Sequence, residues 1–557
     1  MYLRTTKRKK TDGSVVEYFQ LAHNQRPTGG GAPVAKIIHS FGRSDQLDKN
    51  ALTRLCHSIA RVCGLSIDSN NETDKGGSGK AGLPKGVELV GSKFLGEVLV
   101  IEELWERLGI GKAIRKVECD SNLKIPHERA LFAMTANRLC QPESKLGAYE
   151  RWLPEVYLPS CKDLKQDHFY QAMDLFVKNA AEVEKSIFET TANLFNLEVD
   201  LIFYDTTTAS FSIDKQNDDD GVDLRKFGHP KEGGWAPQVV VALAVTREGF
   251  PVRSWVFPGN TSDLKTVEKV KSDLRDWQLG RAMFVADAGM NSLGNRKELA
   301  RALGTYLLAS RIGGLSEVEE QVLSKRGRFK AIAENLYAKE VIIGKGELRR
   351  RYFLCYNPKE AKRQRIHRGD VIAQIKSELN SHKDHAATAR WAVDLLASSR
   401  TRRYLQTTKD GKIKLDKEAV KKAERLDGKW VLQTNDDTIS INDAATGYKS
   451  LMVIERCFRT MKRAQINIMP VWHRLSQRIE AHVKICVLAL LIERAAEHLT
   501  KKSWQNMHPI LRRLQATRFK TDTHDFFERN AIDSELCELL KSLQIPVPKK
   551  ILEVNPI

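Results

Sequence analysis

Apolar residues recur at three- and four-residue spacing through LGEVLVIEELWERLGI, HERALFAMTANRLC and YQAMDLFVKNAAEVEKSIFETTANLF. That period predicts a helical region over residues 86–197. Upstream, the runs at residues 14–22 (SVVEYFQLA) and 35–41 (AKIIHSF) read as strands joined through a glycine-rich stretch, with a helix expected over residues 45–62. Residues 69–85 are polar and rich in Gly, Lys and Asn, the composition of a flexible linker.

After residue 197 the period changes. LIFYD (201–205), QVVVALAV (238–245) and the run 252–257 read as strands, followed by an amphipathic helix over 262–278. Strand 283–286, helix 292–303 and strand 305–309 complete a sequence in which hairpins precede βαβ units, the pattern of an α/β layer. The pattern loosens to about residue 425, strand character returns at KWVLQ (429–433), and a long helix broken at Pro470 is expected over 445–497.

These periods divide the chain into a strand-rich N-terminal domain (1–68), the linker (69–85) and a helical DNA-binding or dimerisation region (86–197). The first part of a catalytic core (198–312), an inserted subdomain (313–425), the last part of the core (426–500) and a basic helical tail (501–557) follow. The 168 residues from Asp287 to Glu455 are too many for a simple connection, hence the insertion.

Composition narrows the function. Ninety Lys and Arg stand against 70 Asp and Glu, a formal charge of +20, which suits a polyanionic partner. The longest clean apolar run, Ile485–Ile492, lies between Lys484 and Glu493 and is too short to span a bilayer, so no membrane partner is expected. Five of the first ten residues are basic, but no apolar segment follows them, which argues against a secretory signal. Nine cysteines without a C-x-x-C pair suggest reduced thiols in a cytoplasmic, nucleoid-associated protein. The closest grouping, Cys56, His57 and Cys63, lacks the second pair of a zinc site.

Three acids stand where metal-dependent phosphoryl transfer needs them. Asp205 ends LIFYD, Asp287 ends MFVAD before a tight Ala288-Gly289 exit, and Glu455 lies on the helix YKSLMVIERCFRTMK. Magnesium takes hard oxygen ligands, and two ions can activate an attacking oxygen and stabilise a leaving one. Tyr448, Glu455 and Lys462 are spaced by seven, so a continuous helix would carry them on one face. Eight Lys or Arg against two acids between Lys449 and Lys484 make that segment basic. Arg459, Arg463, His473, Arg474 and Arg478 there, and Lys362, Arg363 and Arg365 in the insertion, are candidate DNA contacts. Asn260, Thr261 and Asp263 (GNTSD) could reach the acids, although capping of the following helix is their expected main role.

These motifs resemble bacterial insertion-sequence DDE transposases of the group marked by Tyr-x2-Arg-x3-Glu-x6-Lys. Tyr448, Glu455 and Lys462 fit that spacing, while Leu451 holds the Arg position. The segments YDTTTASF, FPGNTSDLKT, VADAGMNS and MPVWHRLSQRIEAHVKICVLALL extend the resemblance over nearly the whole chain. It implies an α/β RNase H-like core interrupted by an insertion, with Asp205, Asp287 and Glu455 binding two Mg2+ ions, or Mn2+ in their place. It further implies cut-and-paste transposition: cleavage at terminal inverted repeats, then attack of the 3′-hydroxyl on target DNA by a protein dimer holding both ends. The alternatives are a metal-dependent nuclease or resolvase without strand transfer and a non-catalytic DNA-binding derivative.

Overall fold

The chain forms two units, Met1–Gly82 and Leu83–Ile557. A computed structural model describes residues 2–9, 15–25, 34–43, 86–119, 125–211, 224–277, 279, 282–312, 318–345, 349–382 and 385–557. In the first unit, β1 (Tyr2–Lys9), β2 (Val15–Gln25) and β3 (Val34–Arg43) form an antiparallel sheet. The two later strands match the apolar runs in the sequence. The first escapes that pattern because YLRTTKRK has only two apolar residues, both at its start. The helix expected over 45–62, the linker and the Cys56–Cys63 grouping lie outside the described residues.

The second unit opens with β4 (Glu88–Phe94) and a helical layer that includes Gly96–Arg107, His127–Cys140, Gln166–Lys178 and Ala180–Phe195. A ten-stranded mixed sheet follows. Its strands are β5 (Leu201–Ser210), β6 (Lys226–Gly228), β7 (Ala236–Val245), β8 (Pro251–Pro258), β9 (Met283–Ala286), β10 (Tyr306–Ser310), β11 (Lys330–Ala333), β12 (Leu336–Ile343), β13 (Arg350–Tyr356) and, beyond a small β14 (Leu405–Thr407)–β15 (Ile413–Leu415) hairpin, β16 (Lys429–Thr434). The order is β11-β12-β13-β16-β10-β9-β5-β7-β6, with β8 on β7.

Both faces of the sheet centre are covered, which is why its strands read as continuous apolar runs. Leu201, Phe203, Met283 and Val285 share one core with Ile454 and the helix Ser476–Thr500. Ile202, Tyr204, Phe284 and Ala286 share another with Trp255 and the helix Asp263–Asp276. Strands β5, β9 and β10 run parallel, with a helix in each crossover.

Within the inserted segment β13 pairs with β16 from Arg351↔Thr434 to Tyr356↔Lys429, so β11–β13 extend the core sheet. The tail is not wholly helical. Its strands β17 (Gln515–Lys520), β18 (His524–Arg529) and β19 (Ile551–Pro556) form a sheet with β4 in the order β19-β18-β17-β4. A strand partner more than 400 residues away leaves no local trace in either segment. The long helix also divides: Ile441–Lys449, Met452–Arg459, a wide turn at Thr460–Ala464, and Ser476–Thr500. His473 and Arg474 therefore lie in a non-helical connection, and only Arg478 is on the following helix. Among the described residues no helix is long and apolar enough to cross a membrane.

Candidate active site

Strand register brings two of the three acids together. Tyr204 pairs with Ala286 in the parallel β5–β9 ladder, so Asp205 and Asp287 occupy the next positions on neighbouring strands. By strand alternation both point to the face of Phe203 and Val285, where Ile454 packs. Glu455 follows Ile454 in the first turn of Met452–Arg459 and is exposed.

The surroundings of each carboxylate differ. Asp205 is 19% exposed and accepts a hydrogen bond from the Thr206 amide at 2.7 Å. Burial pushes its pKa up to about 6; Lys231 opposes the rise, while the charges of Asp287 and Asp263 add to it. Asp287 is exposed and accepts from the Gly289 amide at 3.1 Å, capping the short turn Ala288–Met290. Tyr448 links the set: its phenol is held above the ordinary range by burial and by the charges of Asp287, Glu455 and Asp205. It stays a hydrogen-bond donor.

Three residues that sequence reasoning missed or undervalued complete the surroundings. Asp263 accepts from the Thr206 hydroxyl at 2.6 Å, and the helix it opens has no side-chain cap, so capping is not its role. Lys231, on the β6–β7 turn, lies 3.5 Å from Asp205 Oδ1 and also donates to the Thr206 carbonyl. Its neighbour Glu232 accepts from Lys462 at 2.6 Å. The signal in the sequence is the Gly233-Gly234 pair, whose φ angles of +100° and +87° turn the chain back over the sheet edge.

The remaining candidates are spread out. Arg459 and Arg463 are exposed on the turns after Glu455. Leu451 is 8% exposed at the break between helices, so nothing at that position replaces an arginine. Half-buried His473 packs between Tyr170 and His482, and burial pushes its pKa down to about 3. Arg474 is exposed, and Arg478 pairs with Asp174 at 2.9 Å. Lys362, Arg363 and Arg365 lie on the exposed face of Pro358–Ser381, where Arg363 pairs with Glu360 at 2.6 Å. Among the described contacts none joins this cluster to the acids.

The donor set fits a hard divalent cation. Asp205, Asp287 and Glu455 offer only oxygen, and the ammonium of Lys231 already sits between Asp205 and the Thr206 carbonyl as a cation does. Among the described residues, no three His, Cys, Asp or Glu side chains are close enough as they stand to hold one ion.

Comparison with known proteins bears on this arrangement. Residues 3–71 match the IS1634 family transposase N-terminal domain, and residues 212–492, half of the chain, match the transposase DDE domain. No curated protein matches. A solved structure, a cryo-EM synaptic complex of piggyBac transposase with hairpin DNA, is similar at 9% identity and a TM-score of 0.33, over 75% of this chain and 79% of that one. DDE transposase domains use divalent metal ions, in keeping with the oxygen donors described above. With its mixed RNase H-like sheet carrying these acids, the chain belongs to the insertion-sequence DDE transposases.

Proposed function

We propose that this transposase cuts DNA at terminal inverted repeats and joins the freed 3′-hydroxyl to target DNA in one site formed by Asp205, Asp287 and Glu455. The adjacent register of Asp205 and Asp287, with the Glu455 helix packed on the same face, carries this reading. Two Mg2+ ions, replaceable by Mn2+, suit these oxygen donors; when bound they activate the attacking oxygen and stabilise the leaving one.

The chain's own residues do the rest. Asp205 sits within a packed strand and Asp287 directly follows one, which holds their oxygens in place better than a long loop would. Glu455 closes the set from its helix. The Tyr448 hydroxyl, kept protonated, donates to a phosphate oxygen. Lys462, Arg459 and Arg463 set positive charge along the DNA backbone beyond Glu455, and a cation held by Asp205 would take the place of Lys231. Arg474, Arg478 and His473, with Lys362, Arg363 and Arg365 of the insertion, contact DNA further from the cut.

Residues 1–68 and the helical region 86–197 recognise the repeats, and two copies of the chain hold the two ends, acting on nucleoid DNA in the cytoplasm. A strand-joining assay tests the transfer step: precleaved end duplex with a free 3′-hydroxyl should become covalently joined to a plasmid in magnesium. Cleavage without joining would make the protein a nuclease or resolvase instead.

A further inference from the structure

A second cationic site lies on the helical side of the core. A cavity of about 640 Å³ opens between the helix His127–Cys140, the turn after it and the connection 465–475. Arg138 and Lys145 line it and are 5% and 4% exposed. Neither has a carboxylate within 4 Å among the described residues. Arg138 gives one hydrogen bond to the Asn467 carbonyl at 3.2 Å, while its Nε is buried with no partner.

The Lys145 ammonium donates to His482 Nδ1 at 3.3 Å, and His482 Nε2 in turn donates to the Ile468 carbonyl at 2.9 Å. His482 is therefore the neutral tautomer and contributes no compensating charge. Glu143, the one acid lining the cavity, pairs with Arg151 at 2.5 Å. Burial and the Arg138 charge push the Lys145 pKa down to about 7, which marks how poorly compensated this cation is.

Two buried cations line one open cavity, and one of them has an unpartnered donor, an arrangement that suits an anion. Burying unpaired charge is costly, and a bound anion removes that cost. We propose that Arg138 and Lys145 form a binding site for a phosphate oxyanion. Guanidinium and ammonium together suit a tetrahedral phosphate. The anion is either a DNA backbone phosphate or free phosphate. The DNA source rests on the transposase reading above and fits the position: Met469, which lines the cavity, accepts from the Ser210 amide at 3.3 Å, five residues along β5 from Asp205. That separation is about 17 Å of extended strand, inside one turn of duplex, about 34 Å. Trp472, 61% exposed at the cavity mouth, offers a flat apolar surface beside it.

The test is thermal unfolding of the full chain in sodium phosphate against sodium chloride at matched ionic strength. The wild type should show a saturable rise in midpoint with phosphate alone, and Lys145→Met should weaken the apparent phosphate affinity at least tenfold. Arg138→Met repeats the test should the first variant fold poorly. The wild-type titration decides by itself if both do: no phosphate-specific rise overturns the site, as does an unchanged response in either folded variant. End-duplex binding then identifies the source. A loss of about 0.9 from the slope of log affinity against log salt in Lys145→Met assigns the site to a DNA phosphate, and an unchanged slope with a lost phosphate response assigns it to free phosphate. Asp287→Ala should keep the phosphate response, so failure of this site and failure of the catalytic assignment are separate results.

Discussion

The Lys462 ammonium lies 2.6 Å from Glu232 Oε1, so the cation two turns beyond Glu455 is tied to the β6–β7 turn. Desolvation and the Glu232 partner act on Lys462 in opposite directions, and its pKa stays below the ordinary lysine value. Glu232 therefore neutralises a charge on which the proposed DNA contact draws.

Glu232→Gln should free Lys462 and strengthen end-DNA binding, adding about 0.9 to the salt slope for one more neutralised phosphate. Adding Lys462→Ala to Glu232→Gln should remove that gain and leave the magnesium concentration for half-maximal cleavage unchanged. Gel shifts over a salt series check both. Weaker binding by Glu232→Gln would mean that the pair itself builds the DNA surface.

In the proposed site, Lys231 stands where a cation on Asp205 would bind. Its ammonium is 3.5 Å from Asp205 Oδ1, and a divalent cation must displace it. Lys231→Ala should bind Mn2+ several-fold more tightly without DNA, as read by calorimetry. Equal or weaker binding would show that Lys231 supports the metal site rather than occupying it.

Buried Glu493 gives stability a pH dependence. Burial pushes its pKa up to about 8 from an ordinary 4.5, while Arg494 only partly opposes this. Between those values the folded chain binds a proton that the unfolded chain has lost, so this group lowers stability as pH rises from 4.5 to 8. The slope is at most about 1.4 kcal/mol per pH unit. Glu493→Gln should unfold at a higher temperature than wild type at pH 8, with the gap closing near pH 5. A gap independent of pH would contradict the assignment.

The sequence made β5 and β9 legible because both faces of the sheet are covered. LIFYD and MFVAD are apolar up to their acids, and the chain leaves the apolar layer at Asp287. The spacing of Glu455 to Tyr448 and Lys462 assumed one helix, whereas the chain breaks at Ser450–Leu451 and again after Ala464. What the sequence hid is non-local. The three-residue β6 is too short to show a period, so Lys231 and Glu232 read as loop charges. Asp263 read as a cap of the following helix, and only the folded chain turns it toward Thr206.

The most direct measurement is magnesium-titrated cleavage of an end duplex by wild type, Asp287→Ala and Glu455→Asp, with binding of the same duplex measured alongside. The account predicts near-normal binding by both variants, no cleavage by Asp287→Ala at any magnesium concentration, and cleavage by Glu455→Asp that needs more metal because its ligand is one methylene shorter. Wild-type cleavage by Asp287→Ala would contradict it.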